Sequence, residues 1–147
     1  MEVLVLMGLQ ATGKSSFYRE RFFRTHVRIS LDLLRTRARE RAFFETGLRT
    51  GQRLVIDNTN PRREDRARYV APARAAGFRV TGFWFASSIA TSLARNRERR
   101  GDERVPDVGV LGTHARLEPP SLDEGFDALF FVRTHDGRFE VDAWRDA

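Results

Sequence analysis

The stretch Gly8-Leu9-Gln10-Ala11-Thr12-Gly13-Lys14-Ser15 constrains this chain more than any other, because it fits G-x-x-x-x-G-K-[ST] without a mismatch. Glycines at these positions let backbone N–H groups turn toward phosphate oxygens, and the positive end of the following helix faces the same anion. The loop therefore reads as a triphosphate cradle. Gly8, Ala11, Thr12, Gly13, Lys14, Ser15 and Ser16 would line it, with Lys14 on the β/γ-phosphates and the Ser15 hydroxyl on Mg2+. Its context agrees: Val3-Leu4-Val5-Leu6-Met7 suits a strand buried on both faces, and Ser16 to Arg24 contains no helix breaker.

Composition adds weight at the same spot. Of 26 basic residues, Lys14 is the only lysine. In a chain so biased to arginine, the single flexible ammonium stands where a point charge for phosphate is needed. Net charge is +6, but residues 1–117 carry +11 and residues 118–147 carry −5. Two explanations fit: a polyanionic partner such as nucleic acid, or arginines decorating solvent-facing helices.

With 147 residues the expectation is one domain spanning 1–147. The absence of cysteine removes disulfides, thiolate nucleophiles and cysteine-ligated metal, and suits a reducing cytoplasm. The N-terminal apolar run is too short for a signal peptide or membrane span, so a soluble cytoplasmic protein is expected, with no membrane contact and no obligate protein partner.

Further along, short apolar runs alternate with helical stretches. Residues 26–30 read as a strand, Leu33 to Leu48 as a helix with stop signals at Gly47 and Gly51, and Arg53 to Asp57 as a strand. Asn60 reads as the N-cap and Pro61 as the first residue of a helix that Gly77 closes. Phe78 to Ala86 reads as a buried strand, and Ser87 or Ser88 as the cap of a helix ending in basic residues. Val105-Pro106-Asp107 opens another helix, Phe126 to Val132 is the last core strand, and Asp136-Gly137 turns into Phe139-Glu140-Val141. This alternation predicts an α/β fold of the P-loop NTPase type, a parallel sheet with helices on both faces. The carboxyl ends of its strands would gather Gly8–Ser15, Ser30–Arg35 and Asp57–Asn60 at one edge.

Three groups at that edge carry candidate chemistry. Asp32 is placed to accept a proton from an attacking hydroxyl, and Arg35, three residues on along one helix, would project beside it onto an acceptor phosphate. The alternative is a capping aspartate with a surface arginine. Asp57 ends a strand where a carboxylate meets Mg2+ through water, or else opens a structural turn. Arg95 and Arg99, sharing a helix face with Arg100 adjacent, would form a lid over transferring phosphate, or simply a solvated basic helix end. His26, His114 and His135 lack the clustering of a metal site.

Taken together, these motifs make the chain resemble the 5′-kinase domain of the polynucleotide kinase family. The resemblance rests on Gly8–Ser15, on Ser30-Leu31-Asp32-Leu33-Leu34-Arg35, and on Ile56-Asp57-Asn58-Thr59-Asn60-Pro61. It continues through Ala67-Arg68-Tyr69-Val70, Ala73–Gly77, Arg95-Asn96, Val105-Pro106 and Pro119–Phe126. It implies ATP and Mg2+ as cofactors and a nucleic acid with a 5′-hydroxyl end as substrate. Asp32 would be the general base, Arg35 the clamp on the neighbouring phosphate, and Arg95, Arg99 or Arg100 the lid on ATP. A kinase of a small-molecule hydroxyl and a non-transferring NTP-dependent switch are the rival expectations.

Overall fold

The computed structural model describes residues 1–86 and 88–145. Its strands are β1 (Glu2–Met7), β2 (Val27–Ile29), β3 (Leu54–Asp57), β4 (Arg79–Phe85), β5 (Ala128–His135) and β6 (Arg138–Ala143). They form one sheet in the order β2-β3-β1-β4-β5-β6. The first five run parallel, and β6 returns antiparallel on β5. The antiparallel edge follows from the expected tight turn, since Asp136 (φ 50°) and Gly137 (φ 73°) join neighbouring strands as a hairpin.

Alternation along β1 explains the layers. Val3, Val5 and Met7 pack with Phe44, Tyr69, Val70 and Ala73 on one face. Leu4 and Leu6 pack with Phe17, Phe83 and Phe85 on the other. Helix α1 (Lys14–Arg21) supplies Phe17 to the second face. Beyond the single-turn α2 (Leu31–Leu34), α3 (Arg37–Thr50) and α4 (Arg63–Ala75) cover the first. A strand buried on both sides must be apolar throughout, as β1 is from Val3 to Met7. Helices α5 (Ile89–Glu98) and α6 (Asp107–Arg116) form a separate pair over the carboxyl ends of the strands.

Several local expectations need correction. The helix expected from Leu33 to Leu48 is broken into α2 and α3, because two caps six residues apart compete. Ser30 accepts from Asp32 N at 3.2 Å and Thr36 accepts from Arg39 N at 3.2 Å, and Arg35 between them adopts φ 75°. Gly47 is no stop signal: it lies inside α3, where a Cβ would come within 2.7 Å of Leu54. Asn60 is not a helix cap, since α4 begins at Arg63 and Asp65 Oδ2 accepts from Arg62 N at 3.1 Å. Ser88 caps α5, whereas Ser87 lies outside the described residues. Among the described residues no helix is long and apolar enough to cross a membrane.

Candidate active site

The sheet order reverses about β1, so its carboxyl end opens into a crevice between diverging loops. The phosphate loop fills that point. Gly8 (φ 146°) is pinned by its N–H to Thr59 O at 3.0 Å, and a Cβ there would meet Phe85 O at 3.0 Å. Gly13 (φ 93°) faces the ring of Phe139, 3.1 Å from where a Cβ would stand. Ala11 also lies at positive φ, 61°, and the Thr12 hydroxyl donates to Leu9 O at 2.9 Å, which closes the loop before α1.

Within the loop, Lys14 is buried and folded back. Its ammonium donates to Leu9 O at 2.6 Å and Gly8 O at 3.1 Å, with Thr12 Oγ1 at 3.4 Å. Burial lowers its pKa to about 8, and the charge of Arg99 acts in the same direction against the opposing pull of Asp57 and Asp32. Asp57, Asp32 and Arg99 are thus the charges that act on this ammonium. Since the folded protein loses this proton near pH 8 while the unfolded chain keeps it to about 10.5, Lys14 costs stability below pH 8. That cost is relieved as pH rises across the interval.

β3 lies in register with β1 so that Asp57 stands beside Leu6. From there Asp57 Oδ2 accepts from Ser15 Oγ at 2.8 Å. These oxygens make a hard donor pair suited to a magnesium ion, directly at Ser15 and through water at Asp57. An unforeseen third member is Arg28, in the middle of β2, whose Nε donates to the same Asp57 oxygen at 2.7 Å and whose terminal nitrogen reaches Ser15 Oγ at 3.2 Å. A charged residue two positions before Ser30, inside an otherwise apolar strand, was the available sequence signal. Among the described residues no group of three or more His, Asp or Glu side chains forms a metal cluster.

A cleft of about 1320 Å³ extends from the loop between α1, α2 and the lid segment after α5. Ser15, Ser16, Asp32, Arg35 and Arg99 line it, so the structure brings these expected residues together. Arg95 and Arg100 are exposed and do not line it. The expected helix face shared by Arg95 and Arg99 does not exist, because α5 stops at Glu98 and Arg99 is extended (φ −71°, ψ 152°). What aims the lid is Asn96. It is fully buried, accepts from Val105 N at 2.9 Å and donates to Val105 O, which clamps the loop that carries Arg99.

Asp32 and Arg35 reach the cleft from α2 and from the strained residue that ends it, rather than from one helix face. Neither side chain has a hydrogen-bond or ion-pair partner among the described residues. Their seat is held from behind. Leu31 N donates to Asn58 Oδ1 at 2.9 Å, and Asn58 donates to Glu40 Oε2 at 2.8 Å and to Tyr69 at 3.2 Å. Glu40 is buried and also accepts from Tyr69 and Arg37, each at 2.8 Å, and burial pushes the Tyr69 hydroxyl pKa up. No local pattern singles out Glu40, which sits 18 positions before its partner Asn58.

Charge in the cleft is only partly matched. Arg28, Arg37 and Arg62 pair with carboxylates, whereas Arg19, Arg35, Arg99 and Arg116 have none among the described residues. These four guanidinium groups outnumber the three carboxylates that also line the cleft without an ion-pair partner among the described residues, Asp32, Asp102 and Glu103, so the balance favours an anion. One buried side-chain atom among the described residues lacks a partner, and it lies here: Gln10 Oε1, whose amide N–H reaches Thr113 on α6 at 2.9 Å.

A parallel sheet with β1 at its reversal point, a G-x-x-x-x-G-K-S loop and a neighbouring strand ending in aspartate define a P-loop NTPase, kinase-like in layout. A family model described as an AAA domain matches residues 35–120, more than half of the chain, and the chain belongs to that family. The bifunctional polynucleotide phosphatase/kinase of Schizosaccharomyces pombe is 25% identical over 129 residues, covering 85% of this chain and 32% of that protein. The chain thus spans about a third of that relative's length. Among solved structures, Chaetomium thermophilum Kti12 in complex with ADP-AlF3 aligns with TM-score 0.67 at 17% identity, over 89% of this chain and 88% of that one. The AvrRxo1-ORF1:-ORF2 structure with ATP aligns with TM-score 0.71 at 16% identity, over 95% and 57%. These structural likenesses are of fold.

Proposed function

We propose that the protein transfers the γ-phosphoryl group of ATP to the 5′-hydroxyl of DNA or RNA. The observation that carries this reading is the pair of unpartnered side chains, Asp32 and Arg35, at the cleft beside the buried Lys14. A nucleotide switch needs no carboxylate for an acceptor hydroxyl and no spare guanidinium next to it. The partial identity to a polynucleotide phosphatase/kinase supports the choice of acceptor.

In this reading the triphosphate lies along Gly8–Ser15, and Lys14 turns from the Gly8 and Leu9 carbonyls to its oxygens. Arg35 forks onto the phosphodiester next to the accepting sugar and so brings the 5′-oxygen in line with the γ-phosphorus. Asp32 takes the hydroxyl proton as the new O–P bond forms and the bond to the β-phosphate oxygen breaks, and ADP departs. Arg99, held by the Asn96 clamp, meets the charge that spreads over the transferring group. Ser15, with Asp57 through water, would hold a magnesium ion, which would neutralise charge on the β/γ-phosphates.

Transfer of labelled γ-phosphate to a panel of 5′-hydroxyl DNA and RNA oligonucleotides, 3′-nucleotides and plain nucleosides tests the proposal. Labelling that requires a phosphate 3′ to the accepting sugar is the expected result. Retained ATP binding with no nucleic-acid acceptor labelled would overturn it.

Lys14 provides a second test, independent of the acceptor. Phosphate oxygens restore the proton that burial removes, so ATP binding at pH 8.5 should take up protons, and little uptake should occur at pH 6.5. Calorimetry in two buffers of different ionisation enthalpy reads this directly. Equal heats in both buffers at pH 8.5 would mean that the ammonium does not meet the phosphates.

A further inference from the structure

The cleft is larger than its phosphate chemistry requires. Single-ligand sites occupy about 300–1,000 Å³, and this one reaches about 1320 Å³ by continuing along α1 to the turn after it. Three residues there take no part in the transfer step proposed above: Tyr18, Arg19 and Phe23.

Phe23 is 66% exposed although it lines the cleft wall. Its position is backed by Tyr18, whose ring meets it edge-on at 6.5 Å and 70°, and whose hydroxyl donates to His26 O at 2.8 Å. The ring thus has one aromatic neighbour while its exposed surface borders the cleft. Arg19, four residues earlier on α1, is exposed and has no carboxylate partner among the described residues. An aromatic ring and a free guanidinium lining one arginine-rich groove are the combination that holds unpaired nucleic acid. The ring stacks a base of any kind, and the cation takes the adjoining phosphate. A metabolite-sized acceptor seated at Asp32 would leave both side chains unused.

We propose that Phe23, backed by Tyr18 and flanked by Arg19, is a stacking platform for an unpaired nucleobase of the acceptor strand, beyond the nucleotide that receives the phosphoryl group. This rests on the polynucleotide reading. It assigns the substrate as a single-stranded or overhanging end, since a paired base does not offer its face.

The test compares wild type, Phe23→Ala and Phe23→Trp. Two acceptors are used, a 5′-hydroxyl oligonucleotide of about ten residues and a 3′-mononucleotide, and fluorescence anisotropy reads oligonucleotide binding without ATP. Loss of one stacking contact should raise the Phe23→Ala KM and Kd for the oligonucleotide about tenfold. kcat, ATP affinity and the mononucleotide KM should stay near wild type, and Phe23→Trp should restore tight binding. Equal losses on both acceptors, or none on either, would overturn the platform while leaving the transfer reaction standing. Should wild type label no nucleic acid, the reaction is refuted, and anisotropy still decides the platform: weakened binding in Phe23→Ala retains it, and no oligonucleotide binding by wild type removes it.

Discussion

Asp32→Asn is expected to slow phosphoryl transfer by about 10²- to 10⁴-fold while ATP still binds. The substitution keeps the shape of the side chain and the Ser30 cap on its backbone N–H, so α2 should persist. It removes the capacity to accept the hydroxyl proton. Because the carboxylate has no hydrogen-bond or ion-pair partner among the described residues, losing its charge breaks no pair, and the buried Lys14 ammonium keeps the stronger pull of Asp57. The effect should therefore fall on the chemical step, read by single-turnover transfer at saturating acceptor, with ATP affinity measured separately. Wild-type rates in this variant would remove Asp32 from the chemistry. Lys14→Ala serves as the contrast, since it should damage ATP binding and transfer together.

Arg66→Ala should be the most damaging structural substitution, costing about 3–5 kcal/mol. Arg66 is completely buried on α4, and each of its three guanidinium nitrogens donates. It donates to Glu124 at 2.8 and 3.0 Å, to Asn60 O at 3.1 Å, to Pro61 O at 3.2 Å and to Glu118 O at 2.9 Å. Removing it leaves a buried carboxylate without its cation and three backbone carbonyls without their donor, which costs far more than the lost attraction. The melting temperature should fall by roughly 10 °C or more for a chain of this size. A fall of only a degree or two would show that water or relaxation replaces the network. Arg66→Met with Glu124→Leu should recover part of the loss, because the pair vanishes as a unit. Transfer should not recover with it. The carbonyls of Asn60 and Pro61 belong to the turn that carries Asn58, and Asn58 seats Leu31 and hence Asp32.

These predictions draw on different depths of information. Asp32 and Lys14 were legible from the chain alone, because each belongs to a short segment whose chemistry is local. In the loop the spacing of two glycines, a lysine and a serine dictates backbone geometry over eight residues. Around Asp32, Ser30 and the end of a strand are close neighbours in sequence. Asp57 was legible as the acid that ends an apolar run, and the alternation of strands and helices followed from periodicity that any short window contains. Even the break at Arg35 had a visible cause in Ser30 and Thr36, although two overlapping cap signals do not declare which one prevails until the packing of α3 on the sheet decides it.

Arg66 and Glu40 had no such signature, and Arg28 offered only its charge inside an apolar strand. With arginine filling all but one of the basic positions, nothing nearby distinguishes the buried guanidinium at 66 from the solvated ones at 63 and 68. Its partner is 58 positions away, and only the docking of the 118–124 loop against α4 creates the bond. The same holds for the lid, where sequence put three arginines forward and the Asn96 clamp turned Arg99 alone into the cleft. By itself, then, the sequence determined the phosphate loop, the strand and helix alternation, and the candidate base. Tertiary structure alone decided which arginines are spent on carboxylates and which stay free for an anion. Burial and pairing are set by distance in space, and a guanidinium carries no local mark of the neighbour it will meet.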